Sequence, residues 1–294
     1  MTSGTSSGVR RIPLSNVGAW IGIAPFFIFA LMFLIVPTVS LLIGAFQDHD
    51  GAFTLDNVLR LGQASIRNSY WLSIEVSLAS AVFGALFGLA LALAVVRGGL
   101  PGWLRPTLMT FSGVASNFAG VPLAFAFIAT LGRMGFVTLL LKSLVGLDLY
   151  AVGFNIFTFT GLTLTYLYFQ IPLMILVVTP ALDGMKREWN EAASMLGASQ
   201  AQYWRMVALP VLWPRILGAS LLLFANAFGA IATAYALTGP SLNIVPILLY
   251  AQIRGDVLHD PNLGYALALG MLMITGLSNL AYIVLRARSE RWLK

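Results

Sequence analysis

Long runs of apolar residues, separated by short polar segments, dominate this chain. Stretches without a charged residue cover positions 20–47, 76–96, 106–132, 149–182, 216–253 and 261–285. A helix needs about 20 apolar residues to cross the hydrocarbon core of a bilayer. The pattern predicts an all-α membrane protein with six spans, at about 19–46, 69–96, 108–131, 155–181, 208–237 and 264–286.

Two apolar segments do not fit this simple division. The fifth stretch is longer than one span, and its last part, PSLNIVPILLYAQIRGD, contains Pro240 and Pro246. We expect this part to form an external or re-entrant piece. The segment 133–154 is too apolar for a simple loop and predicts a short interfacial helix. Gly84 and Gly88, four residues apart, predict close helix packing, either within the subunit or against another one.

Composition and charge favour a bilayer over a soluble fold. Hydrophobic residues make up 59% of the 294 residues and charged residues 10%, whereas soluble domains average about 25% charged residues. The net charge of +6 marks a cytoplasmic membrane face rather than a nucleic-acid surface, because cytoplasmic loops carry excess Lys and Arg. With the N-terminus inside, 12 of these residues lie on the cytoplasmic side and 5 outside. We expect an inner-membrane protein with both termini in the cytoplasm.

The chain is predicted to be one membrane domain with two short tails. Residues 1–18 are small, polar and basic, which is typical of a disordered cytoplasmic lead. The charge-free run that follows is far longer than the apolar region of about 7–15 residues in a signal peptide, so it is expected to be a retained span. Residues 19–286 contain the six spans, and residues 287–294 form a cytoplasmic tail.

A polar segment lies between the fourth and fifth predicted spans. Residues 188–210 have the sequence EWNEAASMLGASQAQYWRMVALP. On a helix, Ala193 and Gly197 share a face, and Gly197 permits a turn that a side chain would block. Pro210 falls near the first turn of the next span, where a missing N–H costs least. We expect a cytoplasmic helix–turn–helix, which either has no partner or is a docking site for a soluble partner.

The same segment resembles the EAA loop of permease subunits in binding-protein-dependent ABC importers. The residues that carry the resemblance are Glu191, Ala192, Ala193, Gly197, Val207, Leu209 and Pro210, with Val207 where the family pattern has Ile. The resemblance implies a type I importer (MetI-like) permease bundle, with a coupling loop at about 183–207 that fits a groove on an ATPase. The residues that it assigns to coupling are Glu191, Ala192, Ala193, Gly197, Leu209 and Pro210.

The resemblance also implies partners, and the sequence itself lacks the means to hydrolyse ATP. The partners are ABC ATPase subunits, a sister permease in a heterodimer, and an extracytoplasmic solute-binding protein. None of the lysines, at positions 142, 186 and 294, follows a glycine as the P-loop pattern requires. The chain has no cysteine, and His49 and His259 stand alone in predicted loops. No catalytic, cofactor or metal site is therefore predicted, and the chain is not expected to be an enzyme.

Polar residues inside the spans are the candidates for a translocation path. Buried polar groups in a membrane are costly and face the bundle interior or a water-filled cavity. Glu75 contacts a cationic solute, reaches the lipid headgroups or pairs with Arg67. The neutral residues either line the path or bond neighbouring helices. The candidates for the path are Glu75, Asn117, Gln170 and Asn226, joined by Ser112, Ser116, Thr233 and Tyr235.

The residues around Gly197 favour one branch of these importers. Sugar-type permeases often carry an acidic residue just before this glycine, whereas Met195 and Leu196 precede it here. The sequence LGAS, followed by YWRMVALPVLWPRI, resembles the polyamine, iron, thiamine, phosphonate and oxyanion branch. Polyamine is favoured over ferric iron, thiamine, aminoalkylphosphonate or sugar. Two other functional classes stay open. One is an ion-coupled secondary transporter, which would need titratable groups at a midplane site. The other is a membrane scaffold with no transport role.

Overall fold

The computed structural model describes residues 14–254 and 260–290, and these residues are nearly all helical. The helices are α1 (Leu14–Ala30), α2 (Val36–Gly44), α3 (Asp56–Arg60), α4 (Ala64–Arg97), α5 (Leu104–Ala115), α6 (Val121–Leu131), α7 (Phe136–Val145), α8 (Phe159–Asp183), α9 (Arg187–Met195), α10 (Gln200–Tyr203), α11 (Leu209–Phe228), α12 (Ile231–Thr238), α13 (Val245–Arg254) and α14 (Pro261–Glu290). Two π-helical turns, Leu31–Ile35 and Trp204–Ala208, join α1 to α2 and α10 to α11. Most of the predicted lead and tail, and His259, lie outside the described residues.

Six described helices are long and apolar enough to cross a membrane, which confirms the predicted class. They are Trp20–Gly44, Ala64–Arg97, Val121–Val145, Phe159–Asp183, Gln200–Phe228 and Pro261–Ala287. The first, second, fourth and sixth predicted spans agree with these helices to within a few residues at most ends. The third and fifth predicted spans do not, because the chain breaks each of them.

The predicted third span, 108–131, is two helices rather than one. α5 ends at Ala115 and α6 begins at Val121. Gly120 adopts a left-handed φ of 79°, and Pro122 has no N–H to donate, so the helical hydrogen bonds cannot continue through this point. The helix that is long enough to span here is Val121–Val145, which contains α6 and α7. α7 lies where a short interfacial helix was predicted within 133–154, but it forms the second half of this candidate span instead.

The predicted fifth span, 208–237, breaks as well. α11 ends at Phe228 and α12 begins at Ile231. Beyond α12, a turn through Gly239, with a left-handed φ of 52°, leads into α13 at an angle of 83°. This bend agrees with the external or re-entrant piece that the prolines predicted. The fifth span therefore ends near Phe228, and the predicted end at position 237 is wrong.

Close packing of α4 against α8 and α11 forms the centre of the bundle. A Cβ atom at Gly84 would lie 2.7 Å from the Cβ of Gln170, and one at Gly88 would lie 2.5 Å from the Cβ of Met174. Both distances are too short for carbon atoms, so these positions need glycine. The Gly84 and Gly88 pair therefore serves packing within the subunit, which decides between the two predicted alternatives.

Charged pairs distinguish the two ends of the bundle. The basic end comprises residues 97–105 and 183–208, and there Arg105 pairs with Asp183. The outer end comprises residues 45–63 and 146–158, and beside it Arg60 lies 2.6 Å from Asp260. Partial burial raises the pKa of Asp260, but the Leu263 N–H and the Arg60 guanidinium lower it, so that the net pKa lies below the ordinary value. That the basic end faces the cytoplasm stays a prediction from the Lys and Arg distribution.

Candidate functional site

The EAA segment, defined here as residues 187–208, begins with α9 and a tight turn. The Gly197 N–H donates to the Ser194 carbonyl at 3.0 Å, and the Ala198 N–H donates to the Ala193 carbonyl at 3.0 Å. These two bonds form a Schellman motif, which ends a helix at a left-handed residue. Gly197 has a φ of 76°, and a Cβ there would meet no atom within 4 Å. Backbone conformation, rather than space, therefore requires the glycine.

The turn continues directly into a capped second helix. The Gln202 N–H donates to Ser199 Oγ at 3.3 Å, and the Ser199 N–H donates to Gln202 Oε1 at 2.7 Å. This capping box satisfies two backbone donors at the start of α10. Gln200 Nε2 also donates to Asn190 Oδ1 at 3.1 Å, which ties α10 back to α9. These contacts confirm the predicted helix–turn–helix and fix the angle between its two arms.

Buried side chains hold the EAA segment against the bundle. Tyr203 is 2% exposed and packs in the same cluster as Met185, Leu182 and Leu212. The π-helical turn Trp204–Ala208 carries the helix from α10 straight into α11, so that helical structure runs from Gln200 to Phe228. Pro210 is the second residue of α11, but the continuous helix begins at Gln200, so Pro210 lies inside the span rather than in its first turn as predicted. Displacement of the segment therefore also displaces α11.

The exposed side of the segment is apolar. Met195 and Leu196 are 89% and 88% exposed at the turn. Beside them lies a groove of about 660 Å³, lined by Trp189, Ala192, Ala193, Leu196, Val207, Pro210, Val211 and Pro214. Glu191 and Leu209 are exposed but do not line the groove. Exposed apolar patches of this kind mark interaction sites.

The four predicted path residues do not share one environment. Gln170 is fully buried, and its Nε2 donates to the Leu223 carbonyl at 2.9 Å, so it bonds α8 to α11. Asn117 is exposed and donates from Nδ2 to the Gly113 carbonyl at 2.9 Å, near the break after α5. Asn226 is exposed on the last turn of α11. Gln170 thus follows the interhelical alternative, whereas the two asparagines lie on the subunit surface beside the two breaks.

Glu75 is exposed on α4 and has no charged partner among the described residues. The alternative in which Glu75 pairs with Arg67 is therefore wrong, since the two side chains form no ion pair among the described residues. Glu75 lies inside the candidate span Ala64–Arg97, roughly three helical turns from Ala64. A shallow pocket of about 670 Å³ surrounds it, lined by Leu72, Glu75, Leu78, Ala79, Val82, Phe83 and Phe159.

The two broken spans meet at what we call the junction, residues 116–120 and 229–233. The Gly120 N–H donates to Thr233 Oγ1 at 2.6 Å, and Tyr166 Oη donates to the Ala230 carbonyl at 2.8 Å. Irregular backbone at membrane depth is tolerated only where protein buries it or where it lines a water-filled cavity. This junction was not predicted, although Gly120, Pro122 and Gly229 are residue types that interrupt helices.

Comparison with known proteins places the chain in a family. It belongs to the family described as binding-protein-dependent transport system inner membrane component, whose model matches residues 84–294. The chain is therefore a multi-pass, inner-membrane permease subunit of a binding-protein-dependent ABC importer. The partners predicted for such a subunit follow from this membership: ABC ATPase subunits, a second permease and a solute-binding protein.

Individual relatives agree with the family. The chain is 27% identical over 219 residues to the molybdenum transport system permease protein ModB of Mycobacterium tuberculosis, covering 72% of this chain and 77% of that protein. It is 25% identical over 289 residues to the sulfate transport system permease protein CysW of Synechococcus elongatus, covering 98% and 93%. Other relatives are named for ferric iron, thiamine and spermidine/putrescine transport.

A solved structure shares the fold. The crystal structure of a bacterial ABC transporter involved in the import of the acidic polysaccharide alginate matches with a TM-score of 0.70 at 16% identity. The match covers 96% of this chain and 98% of that chain. This structural likeness supports the fold of the chain. The family membership supports its assignment as a permease subunit of an ABC importer. The solute differs among the relatives.

Proposed function

We propose that this permease contributes part of the translocation path of an ATP-driven importer, and that its EAA segment is the docking site for an ABC ATPase. The observation that carries the proposal is the rigid, exposed turn at the basic end. Met195 and Leu196 are almost fully exposed there, while the Schellman motif at Gly197 and the capping box at Ser199 hold them in place. An apolar turn held in this way matches a groove on a soluble partner.

The packing of the segment supplies the mechanical step. When ATP binding closes the ATPases, the segment is displaced. Because Tyr203 is buried against α8 and α11, and because helical structure is continuous from Gln200 to Phe228, α11 moves with it. The end of α11 is the break at Gly229 and Ala230, so the displacement reaches the junction. The spans thereby change from an inward-open to an outward-open arrangement.

The remaining partners have separate surfaces in this scheme. The binding protein docks on the outer end. The sister permease covers exposed apolar faces, including that of the first span, where the most apolar window has no buried residue, and the face of α4 that carries Leu78, Val82 and Leu86. Glu75 lies on this same face of α4, so it is positioned between the two permeases, where the path is expected.

Glu75 supports a cationic solute, and we favour a polyamine. A carboxylate within a membrane span is costly unless water or a cation compensates it, and no described residue forms an ion pair with Glu75. A relative is named for spermidine and putrescine. The second candidate is an oxyanion, which the names of ModB and CysW favour but which the charge of Glu75 opposes. We rank the remaining candidate solutes below these two: ferric iron, thiamine, aminoalkylphosphonate and sugar.

Uptake by intact cells tests the solute. Labelled putrescine and spermidine are supplied to cells with the gene present, deleted or restored on a plasmid, and labelled molybdate and sulfate serve as the anionic comparison. We expect polyamine uptake to fall on deletion and to return on complementation. Glu75→Gln should then weaken polyamine uptake. Loss of anion uptake alone on deletion would reject the polyamine.

Two variants test the docking site. Glu191→Lys reverses an exposed charge on α9, and Gly197→Asp places a side chain and a charge at the left-handed turn. We expect both to abolish uptake and to reduce co-purification of the ATPase, while the protein still inserts in the membrane. Full uptake by both variants would reject the docking role of the segment. Failure of the wild type to bring an ATPase with it would also reject the docking role of the segment.

A further inference from the structure

An ion pair at the basic end joins two helices that are distant in the sequence. Arg105 Nη2 lies 2.5 Å from Asp183 Oδ2. Arg105 is in the first turn of α5, and Asp183 is the last residue of α8. The two side chains are 47% and 40% exposed, and ion pairs that are this exposed contribute little to stability. The pair therefore matters for the two helices that it joins rather than for the stability that it contributes.

The Asp183 side of the pair moves with the EAA segment. α9 begins only four residues later, at Arg187. Between them Met185 is 5% exposed and packs in the same cluster as Tyr203 of the segment. Because Met185 and Tyr203 share this packing, the end of α8 and the segment form one unit. A displacement of the segment therefore also moves Asp183.

The Arg105 side of the pair leads to the junction. α5 has 12 residues, which corresponds to roughly 18 Å of helix, and it packs along α8. It ends at Ala115, directly before the break, and beyond that break the Gly120 N–H donates to Thr233 Oγ1 of α12. α5 is thus a rod that runs from the ion pair to the junction.

A second rod reaches the same junction by another route. α11 is continuous with the EAA segment and ends at Phe228, next to the break before α12. If displacement of the EAA segment moved α11 alone, residues 229–233 of the junction would move while residues 116–120 stayed in place. The Arg105–Asp183 pair adds a polar link at the basic end to the apolar packing of α5, whose Met109 lies against the same cluster as Met185 and Tyr203.

We propose that Arg105 and Asp183 are positioning residues that transmit displacement of the EAA segment to α5, so that the two broken spans move together. This inference rests on the proposed docking of the ATPase on that segment. Neither residue contacts solute or nucleotide in this scheme. Their effect is on the coupling between the two ends of the importer.

The test uses the whole importer in proteoliposomes: both permeases, the ATPase subunits and the binding protein. The readout is the stimulation of ATP hydrolysis by the binding protein, relative to the basal rate. We expect Arg105→Gln to assemble normally and to keep basal hydrolysis, while stimulation falls by about fivefold or more, the range of typical coupling between sites. Arg105→Lys, which keeps the charge, should retain more stimulation than Arg105→Gln. The charge swap of Arg105→Asp with Asp183→Arg should restore it.

A matched control lies at the same end of the bundle. Arg97 is exposed at the end of α4 and forms no ion pair among the described residues, so Arg97→Gln should leave stimulation unchanged. Wild-type stimulation in Arg105→Gln would overturn the proposal. So would equal loss in Arg105→Gln, Arg105→Lys and the charge swap. Failure of the docking proposal has a different signature, because the ATPase would then remain bound to the Gly197→Asp variant.

Discussion

The EAA segment and the junction are both interruptions of the helical bundle, but they are built in opposite ways. The segment is defined by short-range contacts, since each bond of its Schellman motif and capping box joins residues no more than five apart. The junction is defined by long-range contacts, because Gly120 bonds Thr233 and Tyr166 bonds Ala230. Local contacts make a rigid element, whereas contacts between distant helices form a site where those helices can move apart.

This contrast gives each region a different role. A docking element must keep its shape when a partner pulls on it, and locally determined turns do so without help from the rest of the fold. A path must open and close, which requires contacts that separate without unfolding any helix. The two hydrogen bonds of the junction meet that requirement, because their loss leaves α6, α11 and α12 intact. The contrast is tested by breaking each kind of contact in turn.

The largest effect is expected at Gly197. Gly197→Val places a β-branched residue at a φ of 76°, a conformation that costs an L-residue roughly 1–2 kcal/mol or more. We expect the turn to rearrange and uptake to fall to background. Gly197→Asn is the matched control, since asparagine tolerates the left-handed region, and it should retain part of the activity. Equal activity of the two variants would mean that the turn geometry is not required.

The packing of α4 against α8 should give the next largest effect. Gly88→Ala places a methyl group 2.5 Å from Met174 Cβ and 2.8 Å from the Ile171 carbonyl oxygen, and overpacking of this kind costs about 1–3 kcal/mol. Thermal unfolding in detergent should show a clear fall in Tm. Gly113→Ala is the control, because its added Cβ meets no atom within 4 Å. A Tm for Gly88→Ala as high as that of Gly113→Ala would contradict the packing.

A smaller effect is expected at the junction. Thr233→Val removes the acceptor of the Gly120 N–H, and Tyr166→Phe removes the donor to Ala230, each a bond worth about 1 kcal/mol. We expect a moderate change in the uptake rate with little change in Tm. Thr238→Val is the control, because the Thr238 hydroxyl donates only to the Ala234 carbonyl of its own helix. The role of the junction would be rejected if all three variants transported alike.

The smallest effect is expected at Gln170. Its side chain bonds the Leu223 carbonyl in the core, and its Oε1 has no partner there. Interhelical hydrogen bonds in membrane proteins average only about 0.6 kcal/mol, so Gln170→Leu should lower Tm slightly and leave uptake close to that of the wild type. A strong loss of uptake at normal Tm would return Gln170 to the translocation path.

The sequence predicted the local features better than the long-range ones. The six-span class followed from charge-free windows, and the helix–turn–helix followed from Gly197 and its neighbours, because both depend on residues close together in the chain. The breaks after Ala115 and Phe228 were missed, because the composition of an apolar window is the same whether its helix is continuous or interrupted, and only Gly120, Pro122 and Gly229 mark them locally. The pairing of Gly120 with Thr233 depends on tertiary contacts, and no local pattern reports it.

Docking of the ATPase at the EAA segment is the central claim, and site-directed cross-linking tests it most directly. The chain has no cysteine, so Leu196→Cys gives a single thiol at an 88% exposed position. With a reagent that joins this thiol to a short photo-reactive group, and with membranes that contain the whole importer, we predict a light-dependent cross-link from position 196 to the ATPase subunit. Phe53→Cys, 77% exposed at the outer end, should give none. A cross-link from Phe53→Cys, with none from Leu196→Cys, would contradict the account.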